Sequence, residues 1–342
     1  MKSIRIVHLI DDSTPGGIMR MLDHLLTLPE LSAQVHQTVR TVRRGSWSAD
    51  HIGADVIVSH LALSWRGLPA LVTLRALNPL ARIIHIEHSY TPASAALNVN
   101  RKKRFHTMLR VAYSLFDDVV AVSHTQAAWM RTRALVRNDA LTVIHPQVDM
   151  SALTGIPAPR PGGRTIGAFG RLEPQKGFDT LIEAFRLCPD TRARLVIFGD
   201  GQEQDRLQML AGADHRITFK GHTDDLTAAY AQVDIVAMPS RWEAFGLVAQ
   251  EARASGRSVL VSAVDGLRDQ ITPGISAVSQ RTPEAWARVL EKRLDEVGQT
   301  EIPASVRAGT SAEEYAAQWL ALLSPRSGEK AVTPPGAVSA AA

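Results

Sequence analysis

Short, almost wholly apolar runs recur along the chain with helical patterns between them, and this rhythm most narrows the possible fold. In the first part the runs are Ile4–Ile10, Val56–Val58, Ile83–Ile86, Val119–Val122 and Leu141–Ile144. Helical periodicity fills Ile18–Leu28, Leu68–Leu77, Arg101–Phe116 and Thr125–Leu135. Strands apolar on both faces must be covered on both, the condition of a parallel sheet with crossover helices. Gly155–Gly163, with three prolines and three glycines, breaks the pattern and reads as a linker. The rhythm then restarts with strands at Thr165–Phe169, Arg194–Phe198, Ile217–Phe219, Ile235–Met238 and Val259–Val261. Helical stretches at Thr180–Leu187, Glu203–Leu210, Leu226–Ala231 and Leu247–Ala254 accompany them. With 342 residues, two doubly wound α/β domains fit better than one. The expected boundaries are 1–157 and 163–310. A terminal helix at 311–324 is expected near the first domain, followed by a disordered Pro/Gly/Ser/Ala-rich tail, 325–342.

Composition sets limits. No stretch approaches the roughly 18 apolar residues of a membrane-spanning helix. The start, MKSIRIVHLI, runs into Asp11-Asp12 without a small-residue cleavage site, unlike a secretory signal. The lone Cys188 excludes an internal disulfide and a cysteine zinc site, and fits a reducing cytoplasm. The net charge of +4 conceals an asymmetry. Residues 1–160 hold 18 basic and 11 acidic side chains and ten of the twelve histidines, while the remainder is net −3. Such a split suggests that the two domains meet different partners.

In open α/β sheets ligands bind beyond the carboxyl ends of the strands. There the first domain offers Gly16-Gly17 ahead of a helix, a pair that lets backbone approach a ligand or makes a plain tight turn. Neither the three-glycine dinucleotide fingerprint nor a GxxxxGK[ST] loop occurs. In the second domain the first strand empties into Gly170-Arg171, with Lys176-Gly177 five residues on. Two cations so spaced can clamp a diphosphate, Arg as a fork and Lys as a point charge, or can be solvated surface charges. Gly199-Asp200-Gly201 and Gly221-His222 close the next two strands, so three glycine-bearing loops form a cradle. In the segment Met238–Ala252, Glu243 precedes and Glu251 lies within a helix starting near Gly246. Free amides around Phe245-Gly246-Leu247 suit phosphate, and the carboxylates suit sugar and ribose hydroxyls. The plainer reading makes both glutamates ordinary helix charges.

Together these residues resemble the GT-B-fold, family 4 type of retaining glycosyltransferases, over about residues 4–324. The resemblance implies two Rossmann-like doubly wound domains facing a central cleft, with a nucleotide-sugar donor on the second and the acceptor on the first. It implies that Arg171 and Lys176 stabilise the departing diphosphate, and that Glu251 holds the ribose while Glu243 lies beside the transferred sugar. The amides of Phe245-Gly246-Leu247 would meet sugar and distal phosphate, and Gly16-Gly17 would close over them. Gly170, Gly199, Asp200, Gly201, Gly221 and His222 would border the donor. His88, after a strand in Glu87-His88-Ser89-Tyr90, would stand at the sugar's reactive face. Pro146-Gln147 and Ala244 depart from the family pattern, the first at the interdomain hinge.

Breaking a glycosyl–phosphate bond leaves negative charge on the diphosphate, and fixed donors aimed at it are the largest available aid. No Asp-x-Asp motif is present, so metal independence is expected, with no cofactor beyond a UDP- or GDP-linked sugar as co-substrate. A zinc cluster of His85, Glu87 and His88 is disfavoured, because near neighbours along a strand point to opposite faces. The acceptor is expected to be a cell-surface glycan or a lipid-linked molecule. The basic run Arg101–Phe116 carries an apolar stripe and suggests contact with an anionic surface at the inner face of a membrane. Nucleic acid is not expected, for want of interleaved aromatics. An epimerase-like GT-B enzyme and a degenerate, non-catalytic partner subunit are the alternatives.

Overall fold

A computed structural model describes residues 3–299 and 302–324; the tail 325–342, expected from the sequence to be disordered, lies outside the described residues. Two six-stranded sheets, all parallel, stand one after the other in the chain. The first comprises β1 (Ile4–Ile10), β2 (Val35–Thr41), β3 (Val56–Ser59), β4 (Arg82–Glu87), β5 (Asp118–Ala121) and β6 (Leu141–Val143), in the order β2-β1-β3-β4-β5-β6. The second comprises β7 (Thr165–Phe169), β8 (Arg194–Phe198), β9 (Ile217–Gly221), β10 (Ile235–Met238), β11 (Ser258–Ser262) and β12 (Ile275–Val278), in the order β12-β11-β10-β7-β8-β9.

In each sheet the strand order reverses beside the first strand, at β1/β3 and at β7/β10. Connections leave in opposite directions there, so a crevice opens at the carboxyl ends of those strands.

β2 and β12 have no counterpart in the apolar pattern, and both are edge strands. β2, Val-His-Gln-Thr-Val-Arg-Thr, buries only its first residue, so nothing required a continuous apolar run. The sequence reading also lacked the Pro283–Glu296 helix. Thr282 caps it by accepting from the Ala285 amide, and Trp286, Leu290 and Leu294 are buried on one stripe.

The Ala312–Leu323 helix opens with a capping box, in which the Ser311 side chain accepts from the Glu314 amide and the Glu314 carboxylate from the Ser311 amide. Its Tyr315, Ala316, Trp319, Leu322 and Leu323 join Ile6, Val58, Ile84, Val120 and Ile144 in one cluster on a face of the first sheet. Ala244 and Phe245 of the second domain belong to the same cluster. The basic helix runs Lys102–Tyr113 and buries Met108, Leu109, Ala112 and Tyr113, with Phe116 beyond it. Its apolar stripe is thus core, while the cationic Arg101–Arg104 end is exposed.

Candidate active site

Because β7 and β10 are neighbours, the loops that follow them lie side by side. Main-chain and side-chain bonds lock the two: the Arg241 amide donates to Gln175 O (2.8 Å) and the Gln175 side chain to Trp242 O (3.1 Å). Arg241 also grips both oxygens of Asp179, at 2.9 and 2.8 Å, from across the Gly170–Gly177 loop. At the end of the second loop Gly246 has φ 95°, and a Cβ there would come within 2.6 Å of the Leu267 side chain. Only glycine turns the chain so abruptly into the Leu247–Ala254 helix, leaving that helix's first amides at the crevice. The β8 glycines have a different reason: a Cβ on Gly199 would lie 2.0 Å from Gly170 O. Part of the glycine signal therefore reports loop packed on loop.

Lys176 Nζ lies 2.6 Å from Glu243 Oε2, and the Ser240 hydroxyl is 3.3 Å from the same oxygen. Glu251 is not a surface helix charge but 1% exposed. It accepts the Tyr230 hydroxyl at 2.9 Å on Oε2 and has Arg20 Nη1 2.9 Å from Oε1. Burial first, then the Glu251 charge, push the Tyr230 hydroxyl far above the usual phenol range. Arg20 belongs to the first domain, three residues past Gly17. A Cβ on Gly17 would sit 3.1 Å from the Leu247 side chain, so the Gly16-Gly17 loop lies against the start of the Leu247–Ala254 helix.

Two further aspartates join the domains. Asp265 accepts from the Thr91 hydroxyl (2.7 Å) and the Ala93 amide (3.0 Å) of the first domain and from the Glu243 amide (3.2 Å) of its own. Its φ of 38° is rare for a residue with a Cβ, and burial pushes its carboxyl up despite those three donors. Asp269 accepts from the His124 amide, and from the Thr125 hydroxyl at 2.6 Å, at the start of the His124–Thr132 helix. Each carboxylate thus meets the positive end of a first-domain helix.

His88 ends a row of three rings. His8 Nδ1 lies 3.0 Å from His60 Nε2, and His60 Nδ1 lies 2.9 Å from His88 Nε2. Burial holds His8 and His88 down to about 4 and His60 well below the usual imidazole range. On the opposite face, Glu87 accepts from the amides of Ser89 and Tyr90 and from the Tyr113 hydroxyl. Burial works to raise its carboxyl, but His85 and those amides prevail and hold it low.

The structure therefore brings Lys176, Glu243, Glu251, Gly246 and Leu247 together, with Gly16-Gly17 facing them. His88 lies partly buried in the same loop, three residues before Thr91, which meets Asp265. It does not bring Arg171 in: that side chain is 64% exposed and turns to Glu173 at 3.4 Å. His222 is exposed and pairs with Asp224 at 3.1 Å, Asp200 is exposed, and Gly170 and Gly221 are partly buried. The Phe245 ring is buried against His145, centroids 5.1 Å apart, so only its backbone is available to a ligand. Arg20, Tyr230, Thr91, Asp265 and Asp269 were missed by sequence reasoning. Arg20 alone had a signal, as a cation one turn into the helix behind the paired glycines. Among the described residues no three His, Cys, Asp or Glu side chains are grouped to hold a metal ion.

Solved structures of the same architecture exist. HepE (Alr3699) of Anabaena, crystallised with UDP and glucose, superposes with a TM-score of 0.71 over 94% of this chain and 99% of its own, at 19% identity. Sucrose-phosphate synthase from Thermosynechococcus elongatus superposes with a TM-score of 0.69, over 94% and 98%, at 20% identity. The fold is GT-B. Residues 155–305 match the model of the family described as glycosyl transferases group 1. A D-inositol 3-phosphate glycosyltransferase of Mycolicibacterium gilvum is 36% identical over 170 residues, 44% of this chain and 38% of that protein. An uncharacterized glycosyltransferase of Methanocaldococcus jannaschii is 36% identical over 137 residues, 38% of this chain and 35% of its own. The chain thus matches under two fifths of the length of these curated relatives.

The histidine row makes a pH prediction. A buried imidazole held near 4 is neutral in the folded protein, while the unfolded chain takes up its proton near 6.5. Stability contributed this way is complete above 6.5 and is lost as the pH falls towards 4, on the order of 3 kcal/mol for His8. Urea unfolding followed from pH 7.5 to 4.5 should show this decline, and His8→Leu should make it shallower. A wild-type profile flat across that window would contradict the assignment.

Proposed function

We propose that the chain is a retaining, metal-independent glycosyltransferase of the family 4 type, taking a sugar from a UDP- or GDP-linked donor. The observation that carries this reading is the meeting of Lys176, Glu243, Glu251 and the start of the Leu247–Ala254 helix at the β7/β10 switch point, facing Gly16-Gly17. Support comes from the group 1 match over residues 155–305 and from the relatives' names.

In this reading the diphosphate enters where Lys176 now pairs with Glu243. The phosphate takes over the ammonium, which frees the Glu243 carboxylate to accept sugar hydroxyls. Glu251 accepts the ribose hydroxyls beside Tyr230, since a carboxylate has lone pairs to spare. As the glycosyl–phosphate bond breaks, Lys176 and the helix amides stabilise the anion with charges already in place. Arg171 must swing from Glu173 to join them.

The acceptor, in this proposal a cell-surface glycan or lipid-linked molecule, meets the first domain. Arg101, Lys102, Lys103 and Arg104 crowd the N-terminal end of the Lys102–Tyr113 helix, whose first turn has no acidic residue. Cations at that end oppose the helix dipole, so an anionic surface or ligand relieves them. No helix of the described residues is long and apolar enough to cross a membrane, so contact with the inner face of a membrane would rest on these charges.

Two experiments test the proposal. One of a panel of UDP-, GDP- and ADP-sugars should stabilise the protein, by about 2.7 kcal/mol at 100 times its dissociation constant. Lys176→Ala should then turn over roughly 10- to 100-fold more slowly with that donor. Absence of any shift, or wild-type turnover in the variant, would sink the transferase reading. Separately, co-sedimentation with vesicles containing anionic lipid should be strong at low salt and fall when Arg101–Arg104 are changed to Gln. Equal binding by both proteins, or none by the wild type, would remove the membrane contact.

A further inference from the structure

We propose that His8 and His60 are positioning residues that hold His88 as the neutral Nε2–H tautomer, so that its Nδ1 is presented at the domain interface as a hydrogen-bond acceptor for a sugar hydroxyl. The sugar part of this statement rests on the transferase reading; the tautomer does not.

The row follows from strand register. His8 on β1 is level with Val58 on β3, and Val58 with Ile84 on β4. His60 lies two residues past Val58 and His88 four past Ile84, so all three share a face and each stands one pleat further towards the carboxyl edge. Ring centroids 5.3 and 5.2 Å apart match the spacing of adjacent strands. The row begins among buried residues and ends at the partly buried His88, at the loop where Thr91 meets Asp265.

The polarity of the row is set at its buried end. Gln37, on edge strand β2, donates its Nε2 to Leu25 O at 3.2 Å. That turns its Oε1 towards His8 Nε2 at 3.1 Å. A carbonyl oxygen can only accept, so His8 carries its proton on Nε2 and leaves Nδ1 bare. His60 must then donate from Nε2 and accept at Nδ1, and His88 must donate from Nε2 in turn. The alternation is complete with three neutral rings and leaves His88 Nδ1 as the only acceptor on that ring.

Among the described residues no carboxylate hydrogen-bonds to any of the three rings. Glu87 and His85 lie on the opposite sheet face, where Tyr113, Ser89 and Tyr90 serve the carboxylate and Ser59 faces His85. An aspartate at the buried end would favour an imidazolium; a glutamine does not. The distinction matters for chemistry that builds positive charge on an anomeric carbon, since a cationic ring nearby would oppose it and a neutral acceptor does not.

Ring nitrogen–proton correlation spectra of the 15N-histidine-labelled full chain at neutral pH test this, with His88→Gln assigning the His88 signals. The wild type should show a neutral His88 with protonated Nε2 and bare Nδ1. In His60→Phe, which keeps a ring in the space, His88 should become a mixture of tautomers. Turnover should fall roughly three- to tenfold there, as for one lost hydrogen bond, with donor KM little changed. A protonated Nδ1 in the wild type, or an unaltered His88 spectrum in folded His60→Phe, would overturn the proposal. Should that variant not fold, the wild-type spectrum decides alone. Loss of the transferase reading would show instead as a failure of every nucleotide sugar to bind, with the tautomer still measurable.

Discussion

A carboxylate with 1% of its surface exposed is tolerable only if its charge is met, and Glu251 is met from both domains. Tyr230 holds one oxygen from within the second domain, and Arg20 reaches the other from the first. The contact therefore requires the two sheets to face each other across their carboxyl edges. Asp265 and Asp269 reinforce that arrangement by accepting from the starts of two first-domain segments. The proposed donor site depends on this apposition, because it sets the loop after β1 against the start of the Leu247–Ala254 helix.

The same contacts say what the proposed donor would have to do. Lys176 and Glu243 neutralise one another, so the proposed diphosphate would exchange one anionic partner of Lys176 for another. The helix amides behind Gly246 carry only partial positive charge, yet they are fixed and partly buried. In the proposed reading, this is how the half of the chain after residue 160, with a net charge of −3, would hold a doubly anionic ligand. Net charge describes the surface that approaches a partner; a few oriented donors decide where phosphate rests.

Much of the fold was legible in the sequence, because strands covered on both faces must be apolar throughout. β2 escaped because it buries only its first residue, and β12 because it is four residues long and buries only its two ends, Ile275 and Val278. Lys176, Glu243 and Glu251 were legible through spacing and through the strand-end rule, although only the structure shows Glu251 to be buried. Arg171 was named by the same logic, and its side chain turns outward to Glu173. Tyr230 and Asp265 left no trace, since their partners lie 21 and 174 residues away and only the folded chain brings them together. The histidines were visible singly; their linkage depends on register between three strands, which no local pattern encodes.

The most direct measurement is a crystal structure with the nucleoside diphosphate of whichever donor binds. The account predicts phosphate oxygens on Lys176 and on the amides opening the Leu247–Ala254 helix, with ribose hydroxyls on Glu251 and the Lys176–Glu243 pair parted. A nucleotide bound elsewhere, or one that leaves Glu251 without a ribose contact, would contradict it.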